Sequence, residues 1–131
     1  MSQANKIKRL ESGSYMSFAT RKKSGEFVAT PVWFAPDGDS YYVFSAGNAG
    51  KVKRLRNFSE ARIAPCTARG RVTGEWLDAR AFLLEQPGDQ KTALEALRRK
   101  YGWQMKIGDI FGNLTGKMER RAYIRVDLAG D

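Results

Sequence analysis

The sequence predicts a mainly β fold, a small antiparallel barrel of six strands, closed or partly open, with a few helices. Six short segments alternate apolar and polar residues or are rich in β-branched and aromatic residues, and glycine-bearing turns join the first three of them. Helical spacing is confined to a few stretches, whereas doubly wound folds need strands that alternate regularly with helices. One domain over residues 1–131 is expected, since two separate cores would each be too small to be stable.

The first part of the chain predicts a short helix followed by a three-stranded meander. Ile7 and Leu10 lie three positions apart between basic residues, a spacing typical of a helix. The glycine of KKSGE and the tripeptide Asp37-Gly38-Asp39 mark two tight turns. The strands around these turns are predicted at residues 14–21, 26–35 and 40–46.

The remainder of the chain predicts three more strands with helical stretches between them. Val52 and Leu55 would face the core from a basic helix whose Lys51 and Arg54 share an exposed face. A second helix opens with Asp89 as its cap. The predicted helices cover residues 51–58, 89–101 and, less regularly, 103–114, and the predicted strands cover residues 61–67, 75–85 and 117–128.

Composition excludes several kinds of active site. The chain has no histidine and a single cysteine, Cys66, which excludes Ser-His-Asp and Cys-His nucleophile pairs, an internal disulfide and the commonest zinc ligand. Cys66 is predicted to be a small buried hydrophobe. No apolar run approaches the roughly 20 residues that cross a bilayer, and the polar N-terminus lacks a signal region, so we expect a cytoplasmic protein. Difficult chemistry would fall to a bound organic cofactor.

The charge balance favours an anionic partner. The chain has 23 Lys and Arg residues against 14 Asp and Glu residues, which gives a net charge of +9. Nucleic acid and a phosphorylated or carboxylate-rich cofactor both fit this charge.

The sharpest local feature is FSAGNAGKVKRLR, where a strand ends, a glycine-bearing loop follows and a basic helix begins. Backbone N–H groups at the helix start, with Lys51 beside them, would form a phosphate site. A Walker A loop is excluded, because that motif needs glycine where Ser45 stands and Ser or Thr where Val52 stands. The structural alternative is a solvated basic helix that binds nothing specific.

Three further features allow either a structural or a binding interpretation. Pro31 lacks the N–H that a central strand needs, so its strand lies at an edge or is interrupted there, and an interruption would leave backbone groups free for a ligand. Arg69 and Arg71 lie in one loop and would clamp a second anionic group or remain solvated. Trp76 and Trp103 would stack on a planar ring, or pack in the core or in a subunit interface.

Taken in order, TPVWF, YYVFSA, GKVKRLRN and ARIAPCTARGRVTG resemble the pyridoxamine 5′-phosphate oxidase-like superfamily of FMN-binding split barrels. The stretch LRRKYGWQ and the terminal RRAYIRVDL are similar to its small deazaflavin-dependent branch, whose members use the 8-hydroxy-5-deazaflavin coenzyme F-420. The resemblance covers residues 14–128. It implies a six-stranded antiparallel split β-barrel that works as a homodimer, with each cofactor in a cleft between subunits.

The resemblance also implies where the cofactor phosphate lies. Family members hold it with a lysine at the start of the helix after the third strand, a position that matches Lys51, and supporting basic residues match Lys53 and Arg54. The oxidase members have an Arg-Lys pair there, whereas Gly50 precedes the lysine in this chain. Because the histidine of substrate-binding members is also absent, oxidation of pyridoxamine phosphate is not expected.

The rest of the cofactor would lie along strand backbone and near two further side chains. The matching positions are Thr30, Pro31 and Val32 beside the ring and Ser45 and Ala46 beside the ribityl-phosphate. Arg69 and Trp76 are further candidates for residues near the cofactor, without a matching position in the family. The implied function is that of an oxidoreductase that binds FMN or the deazaflavin coenzyme and exchanges a hydride with a small planar or unsaturated substrate. No catalytic side chain is assigned. The excess of positive charge suits the deazaflavin coenzyme, which adds a phosphodiester and several glutamates.

Two other functions remain open. One is a carrier that binds the cofactor without turnover. The other is a single-stranded nucleic-acid-binding barrel, which would carry aromatic residues interleaved with Lys and Arg along adjacent strands. Nucleic acid is the weaker interpretation, because the strand aromatics lie in apolar contexts typical of a core; these are Phe18, Phe34, Tyr42, Phe44 and Phe82.

Overall fold

Three helices and six strands make up the described part of the chain, which in this computed structural model covers residues 3–46, 49–101 and 121–129. The helices are α1 (Gln3–Glu11), α2 (Gly50–Leu55) and α3 (Pro87–Tyr101). The strands are β1 (Tyr15–Arg21), β2 (Phe27–Asp37), β3 (Ser40–Ala46), β4 (Glu60–Cys66), β5 (Leu77–Leu84) and β6 (Arg121–Leu128). The helical stretch predicted at residues 103–114 lies outside the described ranges. None of the described helices is long and apolar enough to cross a membrane.

The strands close into an antiparallel barrel in the order β1-β2-β3-β6-β5-β4, which confirms the predicted fold class. The first three form the predicted meander, and the second turn is a two-residue hairpin in which Asp37 pairs with Ser40. Gly25 and Gly38 have φ values of 94° and 63°, which glycine adopts without steric cost. Closure comes from β6, which joins β3 to β5, and from β4, which pairs with β1.

One face of each strand fills the barrel interior. Because side chains alternate across a strand, residues two apart point the same way, and Phe18 of β1 and Phe34 of β2 are completely buried on that inner face. Leu10 of α1 and Leu55 of α2 belong to the same apolar cluster. Val52 and Leu55 are both buried, as the helical spacing predicts. Each buried side chain of this size stabilises the fold by about 1.5–3 kcal/mol.

The end of α3 is fastened to the barrel through Tyr101. Its hydroxyl accepts a hydrogen bond from the Phe34 N–H at 2.7 Å and lies 2.7 Å from the Ser14 carbonyl oxygen and 2.6 Å from that of Phe34. The β1–β2 ladder ends at the pair Tyr15–Trp33, so this hydroxyl serves backbone groups just beyond the ladder. The rings of Trp33 and Tyr101 are stacked with centroids 4.6 Å apart. Burial raises the pKa of Tyr101, so the hydroxyl stays protonated and can donate.

Lys100 makes a second contact at the same place. Its Nζ donates a hydrogen bond to the Gly13 carbonyl oxygen at 3.0 Å and lies 3.4 Å from the centroid of the Phe34 ring. Burial lowers the pKa of Lys100 to about 8, although the negative charge of Glu11 acts in the opposite direction. Lys100 and Tyr101 of α3 therefore hold the start of β1 next to Phe34, the first residue of β2 that pairs with β3.

Two helix ends differ from the predicted ones. α2 ends at Leu55, three residues earlier than predicted, and the Asn57 N–H bonds to the Arg54 carbonyl oxygen three residues before it, a tightened last turn that is common where helices end. α3 begins at Pro87, so Asp89 lies in its first turn rather than at the cap. Proline suits that position, since the first turn of a helix leaves its N–H groups unpaired in any case.

Candidate cofactor site

Half of β2 has an open edge. The strand pairs with β1 over residues 27–33, but with β3 only over residues 34–37. The strand runs through Pro31 without a break, so of the two interpretations the edge position is correct and the interruption is wrong. The segment from Thr30 to Val32 therefore lies on the half of β2 that has no β3 partner, where the sequence predicts a planar ring.

Thr30 brings a polar atom to this segment. Val32 is buried in the core, so only its backbone is available to a ligand. Thr30 lies on the same face two residues earlier, and its Oγ1 is enclosed with no hydrogen-bond partner among the described residues. A buried hydroxyl without a partner costs about 1–3 kcal/mol, which a hydrogen bond to a ligand would offset.

α2 places two cations side by side at the barrel rim. Arg54 Nε donates to Oγ1 of Thr20, a fully buried residue of β1, at 2.6 Å. The guanidinium packs over Gly50, where a Cβ would lie 2.9 Å from Arg54 Nη1. The pKa of Lys51 is lowered by burial and, to a smaller degree, by the positive charge of Arg54. The predicted shared face of Lys51 and Arg54 is thus correct, but both side chains are half-buried rather than exposed.

In the part of the chain that the structure describes, the positive charge of this rim has no paired carboxylate. Among the described residues, no carboxylate forms an ion pair with Lys51, Lys53 or Arg54. The N-cap residue of α2, Ala49, makes no side-chain capping bond. Like charges this close repel each other, and an anion would relieve that repulsion. A cleft of about 300 Å³ beside Arg54 is lined by further basic residues and their neighbours, namely Arg21, Lys22, Lys23, Gly50, Lys53, Asn57 and Phe58.

The loop after β4 returns to the open half of β2. It forms a hairpin over residues 67–73, and a Cβ on Gly70 at its tip would lie 3.5 Å from Pro31 Cδ. Arg69 is exposed next to this contact. The structure therefore brings Arg69 and Pro31, two of the predicted site residues, to the same side of the sheet.

Trp76 lies at a second cleft of about 360 Å³. Trp76 is 41% exposed, and the other residues that line the cleft are Ala19, Phe27, Ala29, Arg62 and Asp78. The Arg62 guanidinium lies 4.2 Å from the centroid of the Phe27 ring, and its Nε is 3.6 Å from Asp78 Oδ1. This cleft shares no lining residue with the basic cleft, and Lys51 lines neither of them, so the structure does not place Trp76 and Lys51 in one cleft.

Ser45 and Ala46 end β3, where they pair with β6 near the start of α2. Sequence reasoning missed Thr20, because a threonine in a strand resembles any other β-branched residue and nothing marks it as the acceptor for Arg54. It also passed over Lys22 and Lys23, whose place beside α2 depends on where β1 ends. Their run of positive charge in KKSGE was the signal available. No group of three potential metal ligands occurs among the residues that the structure describes.

The closed six-stranded barrel, the half-open strand β2 and the basic helix after β3 together define a class of protein fold. The chain has the pyridoxamine 5′-phosphate oxidase-like split-barrel fold. It is similar to a candidate pyridoxamine 5′-phosphate oxidase from Listeria innocua, with 12% identity and a TM-score of 0.62 over 97% of this chain and 93% of that one. It is similar to an FAD-binding protein from Mesorhizobium loti, with 16% identity and a TM-score of 0.66 over 99% and 90%.

A third solved structure with this fold is HutZ, the heme storage protein from Vibrio cholerae. Its identity to this chain is 14% and the TM-score is 0.70, over 100% of this chain and 93% of that one. At such identities the likeness establishes the fold. No family model matches the sequence, and no curated protein matches it.

Proposed function

We propose that this protein is a flavin-type oxidoreductase that binds FMN or the deazaflavin coenzyme and exchanges a hydride with a small planar or unsaturated substrate. The adjacent cations Lys51 and Arg54 carry the proposal, because they are half-buried and no described carboxylate neutralises them. Holding two like charges together at a rim is unfavourable unless an anion binds there. A cofactor phosphate is such an anion, and an FAD-binding protein and a candidate oxidase share the fold.

The residues at the open half of β2 fit the rest of a flavin. The backbone beside Thr30 belongs to a half-strand that pairs only with β1, so its other edge is open to hydrogen-bond partners. A flavin or deazaflavin ring carries carbonyl and nitrogen groups along its edge that suit such partners. When bound, the cofactor supplies the hydride exchange itself.

The chain's own part is to hold and orient the cofactor. Lys51 and Arg54 would bind the phosphate as charge-assisted donors. Arg54 is fixed beforehand by Thr20, so less side-chain freedom is lost when an anion binds. The segment from Thr30 to Val32 would align the ring along its backbone.

Of the two cofactors we propose the deazaflavin coenzyme as the tighter ligand. The basic cleft extends the positive charge beyond Lys51 and Arg54 to Lys22, Lys23 and Lys53. FMN has one phosphate, whereas the deazaflavin coenzyme continues into a phosphodiester and a chain of glutamates. The longer anion can use the outlying lysines, and its binding should therefore depend more strongly on salt.

Heme is not favoured as the ligand, although one protein of this fold stores it. The chain contains no histidine, which is the commonest axial ligand of heme iron. Its single cysteine, Cys66, is half-buried at the end of β4, and burial raises the pKa of its thiol. The thiolate that would coordinate iron is therefore disfavoured.

Fluorescence titration of the full chain with FMN and with the deazaflavin coenzyme tests the proposal. Saturable binding of either is expected, with the deazaflavin coenzyme bound more tightly and weakened more by salt. Turnover then separates an enzyme from a carrier, because an enzyme accelerates reoxidation of the bound reduced cofactor by a soluble quinone. Failure of both ligands to bind at tens of micromolar would overturn the proposal, and single-stranded oligonucleotides would be tested next.

We also propose that the protein is a homodimer. Two large apolar side chains outside the cleft that contains Trp76 are unusually exposed among the described residues, with Val72 at 37% and Phe82 at 39%. Burying such groups in an interface is favourable, and phenylalanine is a typical interface residue. Light scattering should give twice the chain mass of 14.7 kDa, and Phe82→Glu should lower it toward one chain. Thr92→Glu, at an exposed position of α3, is the matched control. A wild-type mass of one chain would contradict the dimer.

A further inference from the structure

The hairpin after β4 is a preorganised turn. Thr67 N–H donates to the Arg71 carbonyl oxygen at 2.9 Å, and Arg71 N–H donates to Thr67 Oγ1 at 3.1 Å. Gly70 N–H closes the turn on the Thr67 carbonyl oxygen, with a φ of 93° that favours glycine. The same glycine packs against Pro31. The turn is therefore fixed in shape and seated on the open half of β2.

The base of the hairpin is anchored from two sides. Arg9 of α1 donates to the Thr73 carbonyl oxygen through Nε at 3.1 Å and through Nη2 at 2.6 Å. Thr73 N–H donates to the Pro65 carbonyl oxygen at 2.9 Å. Gly74 leaves no room for a side chain, since a Cβ there would lie 2.5 Å from Pro65 Cγ. A loop held in this way keeps its side chains near one place, which lowers the entropy lost on binding.

The hairpin presents two free cations beside an apolar surface. Arg69 and Arg71 are exposed, and among the described residues no carboxylate forms an ion pair with either. Ala29 and Pro31 are exposed on the same face of β2, and Ala29 lines the cleft that contains Trp76. The cleft has an apolar floor and the aromatic side chain of Trp76, and its two charged lining residues, Arg62 and Asp78, are paired with each other. Such a surface suits a planar hydrocarbon framework, and Arg69 and Arg71 suit a carboxylate or another anionic group on it.

We propose that the substrate of this site is a planar molecule that carries an anionic group, with the planar part on the floor formed by Ala29, Pro31 and Trp76 and the anionic group at Arg69 and Arg71. The inference rests on the proposed function, because it takes the segment from Thr30 to Val32 as the place of the cofactor ring. It goes beyond that function by naming the substrate class and the residues that select it.

Two matched probes test the proposal by binding alone. 2-Naphthoate is planar and anionic at neutral pH, and 2-naphthamide is its neutral counterpart. Their dissociation constants are measured by fluorescence at fixed ionic strength, with the wild-type chain free and loaded with cofactor. The variants are Arg69→Gln, Arg71→Gln and the double variant, with Arg99→Gln at an exposed position of α3 as the control.

The loaded wild type is expected to bind 2-naphthoate about threefold to tenfold more tightly than 2-naphthamide. The double variant should lose this preference while its affinity for 2-naphthamide and for the cofactor stays the same, and Arg99→Gln should keep it. Equal affinities in the wild type, or a preference that survives in the double variant, would overturn the proposal even with the cofactor bound. If neither cofactor binds, the proposed function fails instead, and 2-naphthoate binding to the free chain decides whether an anion site remains.

Discussion

Lys51→Ala is expected to weaken binding of both FMN and the deazaflavin coenzyme by about 10- to 100-fold. A hydrogen bond from an ammonium group to a phosphate contributes about 1.5–3 kcal/mol, and about 1.4 kcal/mol corresponds to a factor of ten in affinity. The variant keeps Arg54, the other proposed phosphate ligand, in place, because the bond from Arg54 to Thr20 does not involve Lys51. Fluorescence titration of each cofactor, at one ionic strength, measures the change.

Two further lysine variants separate a phosphate contact from a general loss of positive charge. Lys91→Ala removes an exposed charge from α3 and should leave both affinities within about twofold. Lys53→Ala removes an exposed charge from α2 beside the basic cleft, and should weaken the deazaflavin coenzyme more than FMN. Equal losses in all three variants would show that only net charge matters, and would contradict a specific role for Lys51.

The pH dependence of affinity is a second test of the same contact. The pKa of Lys51 lies below its usual value in the free protein, and a bound phosphate would raise it by stabilising the ammonium form. Binding therefore takes up protons at alkaline pH, and the affinity should fall as the pH rises through the lowered pKa. Lys51→Ala should lack this fall. A wild-type affinity that stays constant through that range would argue against phosphate at Lys51.

The strands were predictable because local pattern determines them. Alternation and turn glycines give the meander from β1 to β3, and Gly25 and Gly38 have the positive φ values that such turns require. Closure was not predictable from pattern, since it depends on β6 pairing with β3 and β5 far away in the sequence. The prediction that Phe82 lies in the core was wrong, because its apolar sequence neighbours do not determine which face of the strand it occupies. In β5 the buried positions are Leu77, Ala79 and Ala81, so strict alternation places Phe82 outside.

In the candidate site, too, features set by local sequence were predictable and features set by tertiary packing were not. Lys51 was predictable because a strand, a glycine-bearing loop and a basic helix follow one another directly in the chain. The bond from Arg54 to Thr20 and the seat of Gly70 on Pro31 join segments that are distant in sequence, and no local pattern records them. The half-buried state of Lys51 follows from the same tertiary packing.

Tyr101→Phe is expected to lower the free energy of unfolding by about 1–3 kcal/mol, because it leaves the buried N–H of Phe34 without its partner. The Phe variant keeps the ring and therefore the stacking on Trp33. Tyr15→Phe is the matched control, since it also removes a hydroxyl from a tyrosine ring that contacts Trp33. Urea denaturation followed by fluorescence measures all three proteins, with equal slopes required for the comparison.

Tyr101→Phe should also weaken cofactor binding, because Phe34 is the residue of β2 at which pairing with β3 begins and the open half of the strand ends. Without the Tyr101 hydroxyl, the backbone of Phe34 is held less firmly, and Phe34 is only two residues from the segment Thr30 to Val32. The affinity for cofactor should therefore fall. The salt dependence of binding, which reports phosphate contacts, should stay unchanged. Tyr101→Leu, which also removes the stacking on Trp33, should lower both stability and affinity further. A Tyr101→Phe protein as stable as Tyr15→Phe would show that water or a shifted backbone satisfies Phe34, and that the Tyr101 hydroxyl adds nothing to the apolar contacts and the Lys100 bond that fasten α3.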